Sequence, residues 1–195
     1  MTHQLPAATV ARAVAGDEDA RDALARSCQR AAFLFALQLT GSREDARDVS
    51  QEALLRVFRS LGSYDLARPL RPWLLRIVAN LVRDRARRRR VRQAEVLTAD
   101  AGAALAEPAD PAADPEARAT RRELQAAVWA AVQRLQPDHR EVLVLRDYQD
   151  LAYDEIAATL GVPRGTVMSR LHRARLRLRD LVAPALSGGK GEDHG

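Results

Sequence analysis

Apolar positions recur along most of this chain at three- and four-residue intervals, and no clear alternating strand pattern appears. That is the period of helices with one buried stripe, and it predicts an all-α fold. Ala7 to Ala15 reads as a short helix ended by Gly16. Asp17 then offers an N-cap for a helix to about Leu39, with Leu24, Ala31, Leu34, Phe35 and Leu39 inside. Thr40-Gly41 closes it. Ser42 with Asp45 three residues on gives a capping-box-like start to a helix ending near Leu61. Val49, Ala53, Leu54, Val57, Phe58 and Leu61 form its core side, and the other side is charged. Residues 62–71, GSYDLARPLR, read as a loop. Pro72 suits the first turn of the next helix, which reaches about Arg90 and buries Trp73, Leu74, Ile77, Val78 and Leu81. Asp84 falls near that apolar line and is expected to pair with an arginine of a neighbouring helix.

The pattern stops past Val91. The stretch to Thr120 contains EPADPAADPEARAT and cannot bury enough apolar surface to offset its ordering entropy, so it reads as a flexible linker. Asp114-Pro115 opens a helix through Leu124, Val128, Trp129 and Val132 to about Leu135. Gln136-Pro137 breaks it, and another helix runs through Val142, Leu143 and Leu145 to about Asp147. The next stretch, LAYDEIAATLGVPRGTVMSRLHRARLRLRDL (151–181), is a short helix with Ile156, Ala157 and Leu160, a break at Gly161-Val162-Pro163, and a longer helix from Arg164. Val167, Leu171, Ala174 and Leu178 make the stripe of that last helix. Two small helical domains are therefore expected, residues 1–91 and 115–183. A flexible acidic linker, 92–114, joins them, and a disordered tail, 184–195, follows.

Charge sharpens this picture. The net charge is +5, a weak sign of a polyanionic partner by itself, but it is unevenly spread. Residues 61–91 hold nine arginines against two acids, 92–120 two against six, and 121–183 eleven against eight. Arg76, Asn80, Arg83 and Arg87 fall at i, i+4, i+7 and i+11, one continuous face of the 72–90 helix. On the last helix, Thr166, Ser169, Arg170, Arg173 and Arg177 lie opposite the apolar stripe. A helix held by its stripe with hydroxyls and arginines outward suits a DNA major groove, so residues 151–181 read as a helix-turn-helix. A solvated basic face on an ordinary helix pair is the plainer reading of either surface.

Other chemistry is thin. The single cysteine, Cys28, allows no internal disulfide, and it with four scattered histidines makes no usual zinc site. There is no Gly-rich phosphate loop and no recognisable nucleophile–base spacing, so neither an enzyme nor a cofactor is indicated. With no apolar run near 20 residues and no signal peptide, the chain reads as cytoplasmic.

Three segments together carry a family resemblance: EDARDVSQEALLRVFRSL (44–61), RPWLLRIVANLVRDRARRRR (71–90) and REVLVLRDYQDLAYDEIAATLGVPRGTVMSRLHRARLRLRDL (140–181). In that order they resemble regions 2 and 4 of the bacterial sigma-70 family, most of all its small extracytoplasmic-function (ECF) group. The resemblance implies a dissociable specificity subunit of RNA polymerase that directs transcription initiation at promoters of a stress- or signal-responsive regulon. No segment corresponds to region 1.1 or region 3 of primary sigma factors, which fits a regulon-specific factor.

The resemblance also assigns roles. Helix 44–61 would dock on the coiled coil of the polymerase β′ subunit through Asp45, Asp48, Gln51, Glu52 and Arg56, with region 4 meeting the β flap. Residues 62–90 would meet the −10 element, the loop holding a flipped base, with Tyr64, Arg71, Arg76, Asn80, Arg83 and Arg87 as contacts. Helix 164–181 would enter the major groove at the −35 element through Arg164, Thr166, Ser169, Arg170, Arg173 and Arg177. An anti-sigma protein is expected to hold the factor inactive, in some cases at the membrane. The sequence departs from the family pattern at Leu70, often Phe, at Met168, often Lys, and at Ala152, often a capping Ser. The rival reading is a conventional helix-turn-helix regulator that binds DNA without being a polymerase subunit.

Overall fold

The computed structural model describes residues 5–93 and 115–187, and among them it is helical with no strand. The elements are α1 (Ala7–Val14), α2 (Glu18–Thr40), α3 (Arg43–Ser60), a 3₁₀ turn (Leu61–Ser63) and α4 (Leu70–Gln93). After the undescribed stretch come α5 (Pro115–Gln133), α6 (Pro137–Leu143), a π-helical turn (Val144–Tyr148), α7 (Tyr153–Leu160) and α8 (Arg164–Ser187).

Local signals set the boundaries. The Asp17 carboxylate accepts the Ala20 N–H at 2.9 Å and starts α2. Gly41, at φ 71°, ends α2 by donating to the Leu37 carbonyl at 2.9 Å, a left-handed cap that a side chain would strain. Ser42 Oγ accepts the Asp45 N–H at 3.2 Å and starts α3. Gly161, at φ 69°, separates α7 from α8 in the same way. Ala152 cannot cap α7 with its side chain, and the Glu155 carboxylate instead accepts the Ala152 N–H at 2.8 Å.

Four expectations need adjusting. The helix starting at Pro137 is α-helical only to Leu143 and then widens into the π turn, where the Gln149 N–H reaches back five residues to the Val144 carbonyl. Asp84 pairs within its own helix, with Arg87 at 3.7 Å, and among the described residues with no neighbouring helix. Leu124 is 40% exposed and lies outside the core. α8 continues to Ser187 with Pro184 inside it, so the tail does not begin at Pro184. The expected linker, 92–114, falls outside the described residues except for Arg92 and Gln93, which finish α4.

One hydrophobic cluster runs through both halves. Leu24, Phe35, Leu37, Val57, Leu75 and Val78 from α2–α4 belong to it, as do Val132, Val142, Leu145, Ile156, Val167 and Leu171 from α5–α8. Each of these is nearly fully buried. α7 packs on α4, while α5, α6 and the π turn pack on α2. The halves are thus joined by packing as well as by the chain between them.

Candidate nucleic-acid and polymerase interfaces

Asp48, Gln51, Glu52, Leu55 and Arg56 follow one another at helical spacing on α3, and all line a groove of 460 Å³ between α3 and α4. Its far wall is Leu81, Asp84, Arg85 and Arg88 of α4. Arg56 donates to Glu52 at 3.0 Å, and Arg85 to Asp48 at 2.7 Å. Hydrogen bonding by Asp48 is the main cause that raises the Arg85 pKa. Leu55, 54% exposed, is the apolar residue at the centre of this polar row. Its spacing with Asp48 and Gln51 was the available signal, and the charged character of the face hid it.

Asp45 stands apart from the other expected docking residues. It is 3% exposed, and its Oδ1 accepts from Arg85 at 3.0 Å and Arg89 at 2.7 Å. That carboxylate ties α4 to α3 and does not face outward.

The 64–69 loop is held by its own short contacts. Asp65 accepts the Ala67 N–H at 3.0 Å and pairs with Arg68 at 3.2 Å, and the Tyr64 hydroxyl donates to the Arg68 carbonyl. The Tyr64 and Trp73 rings meet at 4.8 Å between centroids, tilted by 44°. These two rings, with Ser60, Ser63, Asp65 and Arg68, line a hollow of 270 Å³. Trp73 was read from the sequence as core, yet it is only half-buried and shared with this hollow.

The expected −10 contacts divide into two groups. Arg76, Asn80 and Arg87 are exposed on α4. Arg83 and Arg71 instead turn to the second half of the chain. Arg83 meets the Glu141 carboxylate at 2.9 Å, and Arg71 Nη2 donates to Gln149 Oε1 at 2.7 Å. Burial lowers the Arg71 pKa.

α8 is anchored by Val167, Leu171, Ala174 and Val182, all buried. Arg164, Ser169, Arg173 and Arg177 are exposed, as is Met168 at 51%, while Thr166 is half-buried. Arg164 pairs with Asp154 of α7 at 3.2 Å, and Ser169 Oγ donates to the Thr166 carbonyl at 3.0 Å. Arg170 is half-buried and pairs with Asp138 of α6 at 2.6 Å. Arg175, which the sequence did not single out, pairs with Asp147 at 2.6 Å, and this hydrogen bond raises its pKa.

Both halves match models of one family: residues 24–92 match sigma-70 region 2, and residues 125–178 match sigma-70 region 4. The ECF RNA polymerase sigma factor SigE of Mycolicibacterium smegmatis is 40% identical over 181 residues, covering 91% of this chain and 68% of that protein. The RNA polymerase sigma-H factor of Pseudomonas aeruginosa is 31% identical over 189 residues, covering 95% and 98%. The chain is an ECF sigma factor of the sigma-70 family.

The solved structure of CnrH in complex with the cytosolic domain of CnrY is similar, with a TM-score of 0.65 and 26% identity, covering 91% of this sigma factor and 97% of that chain. The sigma factor RpoE in complex with the anti-sigma factor NepR from Bartonella quintana gives a TM-score of 0.64 at 25% identity, covering 80% and 92%. A sigma factor is a regulatory polymerase subunit that recognises promoter DNA, not an enzyme. Within it, α3 and α4 with the intervening loop belong to region 2, and α6 to α8 carry most of the region 4 match. Among the described residues, no helix is long and apolar enough to cross a membrane, and no cluster of His, Cys, Asp or Glu could hold a metal ion.

Proposed function

We propose that this sigma factor reads a bipartite promoter through two separate faces while its α3–α4 groove docks core polymerase. The observation that carries this is the groove itself: Leu55 half-exposed within a ring of paired charges, set on the same helix pair whose α4 face carries Arg76 and Asn80. A half-exposed leucine ringed by charge is the form of a docking anchor with a polar rim. The β′ coiled coil is the partner this face fits, with Asp48, Gln51, Glu52 and Arg56 forming the rim. Asp45 holds α4 in position beneath it.

The Tyr64–Trp73 hollow is the receptor for an unstacked base of the −10 strand, since aromatic walls accept a base face and polar groups read its edge. Arg76, Asn80 and Arg87 continue the DNA-facing surface further along α4. At the −35 element, Arg173, Arg177 and Ser169 face the groove, and Arg164, Thr166 and Arg170 join them as their local contacts exchange for DNA. Each bidentate arginine–guanine contact would contribute about 1–3 kcal/mol of discrimination. Residues 1–91 and 115–183 are the two working units, with 92–114 as the tether. The protein acts in the cytoplasm, where polymerase is, and a dedicated anti-sigma protein covering these faces is the expected control.

Transcription with core polymerase tests the assignment. Arg173→Ala should relax the −35 preference and Asn80→Ala the −10 preference, with polymerase binding retained in both. Loss of polymerase binding in either variant contradicts it. Adding half a DNA turn to the spacer, about 5 base pairs, should abolish activity, because two tethered readers act together only within reach.

A further inference from the structure

The first turns of α8 divide into a buried stripe and an outward surface, and one residue of that surface differs from the rest in its chemistry. Val167, Leu171 and Ala174 are buried. Arg164, Gly165, Ser169, His172 and Arg173 are exposed, and so is Met168, at 51%. Met168 is therefore no part of the core. It stands in the second turn of α8, within the end of a recognition helix that meets base edges. Arg164 precedes it by one turn and His172 follows it by one, so its thioether belongs to a row that is polar on both sides.

The neighbours of Met168 narrow what it can meet. Ser169 Oγ donates to the Thr166 carbonyl at 3.0 Å, so its hydroxyl hydrogen is turned inward and it offers lone pairs outward. A Cβ added at Gly165 would meet nothing within 4 Å among the described residues, and the backbone there has no positive φ. Neither packing nor strain within the chain requires that glycine, and the tip of α8 stays open to close approach. A lysine in place of Met168 could seek a phosphate. Methionine carries no charge and has only an apolar, polarisable end to present. In a major groove the apolar feature is the thymine 5-methyl, and an A·T pair adds the adenine amino group, a donor matched to an outward lone pair.

We infer that Met168 is a specificity-determining residue of this sigma factor: it reads the 5-methyl group of a thymine in the −35 element. This rests on the reading of α8 as the −35 helix. The contact involves no phosphate, so it selects sequence without adding to the salt dependence of binding. Covering about one methyl group corresponds to about fourfold in affinity.

The test uses the full chain assembled with core polymerase, on the most active promoter from a randomised library. Each −35 thymine on either strand is replaced in turn by deoxyuridine, which removes the methyl group and keeps the pairing. One replacement should weaken promoter binding by about fourfold. Met168→Ala should bind the thymine and uracil promoters alike, and Met168→Leu should keep most of the preference. Met168→Lys should lose it and steepen the salt dependence by about one unit of slope. A −35 element with no sensitive thymine, or a thymine preference that survives Met168→Ala, overturns the inference. So does weaker binding of Met168→Ala to core enzyme without DNA, which would set Met168 against polymerase instead. Arg173→Ala in the same assay keeps the two readings apart. If it relaxes the −35 preference while uracil has no effect, the Met168 inference alone fails; if the −35 preference is unchanged, the reading of α8 itself fails.

Discussion

Removing the Leu55 side chain in Leu55→Ala should weaken the sigma factor's grip on core polymerase without weakening its fold. Full burial of a leucine is worth about 1.5–3 kcal/mol. Leu55 is still 54% exposed in the α3–α4 groove, so about half of that, roughly 0.8–1.6 kcal/mol, remains to be gained when a partner covers it. The corresponding loss of affinity is about 4- to 15-fold. The folded chain loses little, since surface substitutions usually stay within about 0.5 kcal/mol. Titrating fluorescent variant into core enzyme, without DNA, reads the affinity, and a denaturant midpoint reads the stability. Leu124→Ala, which trims a 40%-exposed leucine on α5 away from the groove, is the matched control and should bind normally. A change below twofold for Leu55→Ala, or an equal loss for Leu124→Ala, refutes the docking assignment.

Arg140→Met should cost about 2–4 kcal/mol of stability, because the half-buried guanidinium is hydrogen-bonded to the carbonyls of Leu39, Val132, Gln133 and Leu135. A denaturant midpoint shift worth less than about 1 kcal/mol would contradict that. Asp17 has its pKa lowered, first by the Ala20 N–H and then by Arg12, so its stabilisation is present above the ordinary value of 3.8 and is lost as pH falls through the lowered one. Asp17→Ala should therefore lower the melting temperature at pH 7 and converge with wild type in acid; a gap that stays constant with pH would exclude the carboxylate as its source. Burial pushes the Cys28 thiol up to about 12, so iodoacetamide at pH 7 should modify it only after denaturation. Rapid labelling of the native protein would mean that α2 opens locally.

The helices were readable because their causes are local. Asp17, Ser42, Gly41 and Gly161 act within one turn of themselves, and each does what its position suggested. Apolar spacing likewise marked the buried stripe of α8, because periodicity states which face is covered. It does not state what covers that face. Arg83 sits on a regular polar face, and nothing near it announces a buried glutamate 58 residues further along. Asp45 has the same character: an acid on a charged face whose burial depends on Arg85 and Arg89, some 40 residues away. Leu55 was passed over for the opposite reason, since one leucine among charges contributes little to a pattern. The π turn and the bond from Gln149 to Gln38 of α2 are likewise features that no local rule anticipates.

On the proposed function, one chain reads two promoter elements only while polymerase holds it. Transcription by reconstituted holoenzyme from a library of randomised promoters measures this directly. Active sequences should share two motifs at one fixed spacing, and the sigma factor alone should select neither from the same library. A single palindromic site bound tightly without polymerase would contradict the account.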